Sequence, residues 1–120
     1  MPRYAEGSTA LATVYTNHTS ILKEKILGQK SVSLVIANSH EEKDVVAKVC
    51  VSNDPEGSTA SFVEYEISPA DTSSETVKTI GEGAGAVIEL PGPYAWVDVQ
   101  IQSEDEDSPQ ASVWLIAVES

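Results

Sequence analysis

Cysteine occurs once in these 120 residues, at Cys50. A lone thiol closes no intrachain disulfide and completes no cysteine-based zinc site, which fits a reducing compartment or a fold that stands without staples. Positive charge is scarce too: Lys and Arg number 7 against 19 Asp and Glu, a formal net charge of −12. Affinity for nucleic acid comes largely from basic side chains that displace counterions, so this balance argues against direct binding to DNA or RNA and against anionic membrane surfaces. Long apolar runs are missing. The longest, such as Ser112 to Val118, fall far short of the roughly 20 residues of a helical bilayer span. The opening MPRYAEGS holds no apolar stretch of a secretory signal, and synthesis in a cytoplasm is the expectation.

What is present is the composition of a folded domain, 41% hydrophobic and 22% charged. A chain of this length buries somewhat more than about 60% of its unfolded surface, and residues 1–120 are expected to form a single domain, with residues 1–8 as a polar N-terminal arm ordered on docking. Alternation of apolar and polar residues predicts strands at Ser31 to Ala37 (Val32, Leu34 and Ile36 inward), Val45 to Ser52, Ser61 to Ser68 (Val63, Tyr65 and Ile67 inward), Tyr94 to Gln102 (Val97, Val99 and Ile101 inward) and Ala111 to Val118. Shorter strands are predicted at Thr9 to Thr16, Glu75 to Ile80 and Ala86 to Leu90. The segment Ile21 to Leu27 fits helix or strand and is taken as strand, because Gly28 closes it too soon for a stable helix. Asn53 to Ser58, Ser68 to Ser74, Gly81 to Gly85 and Pro91 to Pro93 are turns or breaks. Eight to nine short strands predict an all-β fold, an antiparallel β-sandwich of jelly-roll type.

The motifs that carry chemistry fail on context. Gly81-Glu82-Gly83-Ala84-Gly85-Ala86 has dinucleotide-loop spacing, but no helix can develop before Pro91 and Glu82 would stand beside the phosphates. Asp71-Thr72-Ser73 resembles half of an aspartic-protease turn but lacks its glycine and reads as an ordinary Asx-turn. Cys50 with His18 or His40 is the minimum for thiol catalysis, yet acidic surroundings raise a thiol's pKa. No nucleophile elbow supports a serine triad. Glu104 to Asp107 lacks the spacing of a calcium loop and reads as a solvated acidic loop, and Asn17-His18-Thr19 reads as a turn rather than a glycosylation site. No catalytic residue, cofactor or metal is assigned.

The final strand differs from the others. Val113, Leu115 and Ala117 share one face while Trp114, Ile116 and Val118 share the other, so it is central in an assembly or covered by a neighbour. Tyr94 and Trp96 lie opposite Val97, Val99 and Ile101. The candidate interface is therefore Tyr94, Trp96, Trp114, Ile116 and Val118, since amphipathic rings anchor protein partners or stack on sugars.

The succession VYTN, SVSLVIANS, VVAKVCVSND, SFVEYEIS, a glycine-rich break and WVDVQIQ, spanning Val14 to Ile101, resembles small all-β virion proteins of tailed bacteriophages, of the capsid decoration or cement type. The resemblance implies a non-enzymatic subunit on the capsid surface. Such a subunit binds the major capsid protein or another virion protein, bridges neighbouring capsomers, and acts as a dimer or trimer. It transfers no catalytic residue, and neither the acidic loop at Glu104 to Asp107 nor the doubly apolar last strand belongs to it. The alternative is a carbohydrate- or receptor-binding β-sandwich module with Tyr94, Trp96 and Trp114 as a stacking platform.

Overall fold

The computed structural model describes residues 3–8, 18–39, 44–65, 68–69, 74–75, 77–81, 83–90, 94–103 and 110–119. The strands are β1 (Arg3–Ser8), β2 (Thr19–Lys25), β3 (Gln29–Asn38), β4 (Val45–Ser52), β5 (Val63–Glu64), β6 (Ser68–Pro69), β7 (Ser74–Glu75), β8 (Val77–Ile80), β9 (Gly85–Leu90), β10 (Trp96–Ser103) and β11 (Ala111–Glu119). One short 3-10 turn, Thr59–Ser61, is the helical element among the described residues. The first sheet runs β1-β11-β3-β9 and the second β2-β10-β4, all antiparallel. The far edge of β4 is shared: β5 pairs with Cys50 and Val51, and β8 with Val45 to Lys48. β6 and β7 form a small separate ladder.

If β5 and β8 count as one position, the order is first-eighth-third-sixth in one sheet and second-seventh-fourth-fifth in the other. Every connection but one then crosses between sheets. That is the jelly roll, in which two interleaved Greek keys wrap one core.

The period-2 pattern fixes what fills it. Leu34, Ile36, Val113 and Leu115 from the first sheet meet Val45, Ala47, Val49, Val97, Val99 and Ile101 from the second, all fully buried. Two side chains close the flanks. Tyr65 Oη donates to the Glu89 carbonyl at 3.2 Å, joining the end of β5 to β9, and the buried Asn38 Nδ2 donates to the Ile80 carbonyl at 2.9 Å, joining β3 to β8. At the opposite corner β1 crosses so close to β2 that a Cβ on Gly7 would overlap the Ile21 carbonyl.

Three expectations need correction. Residues 3–8 are not a free arm but edge strand β1, paired along its length with β11. Their polar look comes from outward Tyr4, Glu6 and Ser8, while the positions between them, Ala5 and Gly7, are small, Gly7 because of the close approach of β2. The strand expected over Ser61 to Ser68 is interrupted: the 3-10 turn takes its start, Val63–Glu64 pair with β4 while Ser68 pairs with β7, and Val63 is exposed rather than inward; residues 66 and 67 lie outside the described residues. Glu75 to Ile80 divides into β7 and β8. Of the strand expected over Ile21 to Leu27, Ile21 to Lys25 is strand, while Ile26 is buried at the start of the turn that follows and Gly28 holds φ +90°. The strand expected at Thr9 to Thr16, the Asp71 turn, Asn17, His40, Pro91 to Pro93 and the Glu104 to Asp107 loop lie outside the described residues.

Candidate docking face

Because alternate residues of a strand point to opposite faces, the buried set of the first sheet dictates what its outer face shows. Two cross-strand rows traverse all four strands. One is Glu6, Trp114, Val35 and Val87; the next is Tyr4, Ile116, Ser33 and Glu89. Directly opposed side chains of this kind contact one another. Tyr4 is 60% exposed, Val87 67%, Ile116 52%, Val35 38% and Trp114 37%. Five large apolar side chains thus form a continuous band, where isolated exposed ones would need no explanation. Within it the Tyr4 hydroxyl donates to Glu6 Oε2 at 3.0 Å. Partial desolvation and the adjacent carboxylate raise the pKa of that phenol. Beside Trp114 lies a recess of about 370 Å³ lined by Glu6, Gly7, Ser8, Ser112 and Trp114.

The outer face of the second sheet is polar and already engaged. Trp96 Nε1 donates to the Pro55 carbonyl at 3.0 Å, and the 53–58 loop covers the indole. Lys23 Nζ stands 5.0 Å from the Phe62 ring centroid and 5.8 Å from that of Trp96, a cation held by two aromatic faces. The nearly buried Asp98 accepts from Ser20 Oγ at 2.5 Å and from Gln100 Nε2 at 2.8 Å, so both carboxylate oxygens are satisfied within the sheet.

The candidate aromatics are therefore not brought together. Trp96 belongs to the second sheet and Trp114 to the first, on outward faces that point in opposite directions. Tyr94 packs edge-on against Tyr65, with centroids 6.3 Å apart at 78°, and leans on the core. It borders a shallow pocket of about 220 Å³ with Val51, Ser52, Asn53, Ser61 and Val63. A platform of Tyr94, Trp96 and Trp114 does not exist in one chain. Trp114 and Ile116 do share the first sheet's band, and Val118 stands opposite Ser31 in the β11–β3 ladder. Sequence reasoning missed Tyr4, Val35 and Val87, although Val35 sits as an apolar residue on the polar side of the β3 alternation.

Of the titratable groups weighed for thiol catalysis, Cys50 and His18 are among the described residues. Burial raises the pKa of the Cys50 thiol, with Lys48 opposing and Asp98 and Glu64 adding to the rise. Burial lowers that of His18, helped by Lys48 against Glu64, and its Nε2 is buried with no hydrogen-bond partner. No group of three His, Cys, Asp or Glu able to hold a metal occurs among the described residues. In the glycine-rich segment Gly83 holds φ +68° and the Ala84 amide donates to the Gly81 carbonyl at 3.0 Å, just before β9 begins at Gly85.

No protein-family model matches the sequence, and comparison with curated proteins finds no match. Solved structures are similar in fold. The SPBc2 prophage-derived protein YomS aligns over 98% of this chain and 95% of its own, with TM-score 0.56 and 8% identity. A subunit described under Bacillus endospore appendages, a family of disulfide-linked pili, aligns over 100% and 88% with TM-score 0.51 and 8% identity. PirA aligns over 95% and 92%, also at 0.51 and 8%. At such identity the likeness is one of architecture. The chain is a jelly-roll β-sandwich of the kind a prophage protein also adopts, with Trp96, Lys23 and Asp98 engaged within the chain on one outer face and an exposed apolar band on the other.

Proposed function

We propose that this chain is a non-enzymatic structural protein of a virion, a capsid decoration subunit that docks on the assembled head shell through the outer face of its first sheet. The observation that carries the reading is the band of Tyr4, Trp114, Ile116, Val35 and Val87 across all four strands. An acidic domain keeps such a face soluble by mutual repulsion until a complementary surface arrives, and charge complementarity then sets encounter and register. The likeness to a prophage-derived protein supports the setting. Weak contacts of one face, repeated over symmetric shell sites by dimers or trimers, add up to stable decoration.

The test is to purify particles made by the genome that encodes the chain, and to quantify the chain against the major shell protein by mass spectrometry. The reading expects a fixed stoichiometry to the shell subunit, lost when Ile116→Glu replaces the wild-type chain. Particles free of the chain would sink it.

A further inference from the structure

The docking face contains a recess whose chemistry is narrower than apolar contact. Glu6 and Trp114 are direct partners in the β1–β11 ladder. With Ser8, Ser112 and the Gly7 backbone they line about 370 Å³ of open space, large enough for a long side chain. An indole face attracts cations through its quadrupole, a carboxylate supplies the counter-charge, and two hydroxyls accept further N–H groups. The Tyr4 hydroxyl fixes one carboxylate oxygen from the same strand, so Glu6 is held rather than free to swing.

Among the side chains of this face that the structure describes, the charged ones are Glu6 and Glu89, both acidic, whereas Lys23, Lys25 and Lys48 lie on the second sheet. A planar guanidinium suits the recess better than an ammonium, because it can stack on the ring and fork to carboxylate and hydroxyl together. The neighbouring Ile116 and Val35 would keep water from that contact, the arrangement in which a buried Trp or Arg anchor dominates an interface.

We infer that the Glu6/Trp114 recess receives an arginine side chain presented by the partner protein. The inference rests on the docking reading above and names its anchor. The only arginine of this chain, Arg3, lies on β1 itself, so the arginine is assigned to a different protein.

The experiment is a nitrogen-15 NMR titration of the full chain at low salt with N-acetyl-arginine methylamide, its neutral isostere the citrulline derivative, and the lysine derivative. Arginine is expected to move the Trp114 indole N–H and the Glu6 and Ser112 amides. The Trp96 indole, tied to Pro55, should stay still and serves as an internal reference. Loss of a charge-assisted hydrogen bond should make citrulline at least about tenfold weaker than arginine. Glu6→Gln keeps an acceptor for Tyr4 and should bring arginine down to the citrulline level, with lysine in between for the wild type.

Equal responses to arginine and citrulline, arginine shifts scattered over acidic residues without Trp114, or an unchanged response in Glu6→Gln would each overturn the assignment. So would concentration-dependent shifts of the same resonances without any probe, which would make a second copy the occupant. The two readings fail separately. A recess that binds arginine as expected in a chain absent from particles would remove the virion role alone. Particles that lose the chain with Ile116→Glu but retain it with Glu6→Gln would remove the arginine anchor alone.

Discussion

Gly57 lies directly beneath the indole of Trp96: a Cβ at that position would stand 2.7 Å from Cε2 of the ring, and the glycine holds φ +66°. The same indole donates to the Pro55 carbonyl, so ring and loop fix each other. Gly57→Ala meets both a left-handed backbone and an occupied site, and should cost about 1–3 kcal/mol. Denaturant unfolding followed at Trp96 checks it; a variant as stable as wild type would mean the loop does not rest on the ring.

Asp54 organises the same loop. Its Oδ1 accepts from the Glu56 amide at 3.0 Å and its Oδ2 from the Ser58 hydroxyl at 2.6 Å and the Ser58 amide at 3.2 Å. These bonds favour the carboxylate, Ser58 first, and hold its pKa below the ordinary range. A depressed folded value means stability that is full above the ordinary carboxylate range and lost as pH falls through the folded value. The stability difference between wild type and Asp54→Ala should therefore shrink in acid, which paired unfolding curves from neutral pH downward would show. A pH-independent difference would count against the carboxylate's role.

His18 and Cys50 respond in opposite directions. Burial lowers the His18 pKa, so the unfolded chain takes up the proton first. Stability from this group is complete above the ordinary imidazole range and declines as pH drops below it, and His18→Gln should flatten that limb of the curve. Burial keeps the Cys50 thiol protonated. Iodoacetamide at neutral pH should modify it far more slowly in the native chain than in denaturant, whereas rapid native alkylation would reopen thiol chemistry.

The two faces of the first sheet should answer differently to substitution. Leu34 is fully buried in a row with Leu115 and Ile88, and Leu34→Ala should cost about 2–5 kcal/mol. Ile116, 52% exposed on the outer face, should tolerate glutamate within about 0.5 kcal/mol. Urea midpoints of both variants test the contrast. A large loss for Ile116→Glu would show that the outer face is packed within the chain.

The strands with clean alternation were legible: Val32, Leu34 and Ile36, then Val97, Val99 and Ile101, then Val113, Leu115 and Ala117 all point inward as read. Legibility failed where backbone departs from a plain ladder. A bulge in the β10–β2 register between Val99 and Gln100 accompanies the mixed period of Ile21 to Leu27. Close passage of β2 at Gly7 leaves no room for a large residue at that position, one of those that would have marked β1 as a strand. Alternation also says which side of its own sheet a residue takes, but not which sheet the strand joins. That is why Trp96 and Trp114 looked like neighbours, and why a face built from four separated segments by Tyr4, Val35, Val87 and Trp114 stayed hidden.

β11 lies between β1 and β3, yet follows both in the chain. A ribosome therefore finishes the two flanking strands of the first sheet well before the strand that joins them. Until β11 emerges, Leu34, Ile36 and the edges of β1 and β3 have no partner on that side, and the sheet cannot close by local pairing. Folding of such a chain is governed by contacts between distant segments and is slow for its size. Truncations that stop short of Ala111 would leave an open, apolar sheet prone to aggregate, and nascent chains would be in most need of chaperone cover over the interval before β11 emerges.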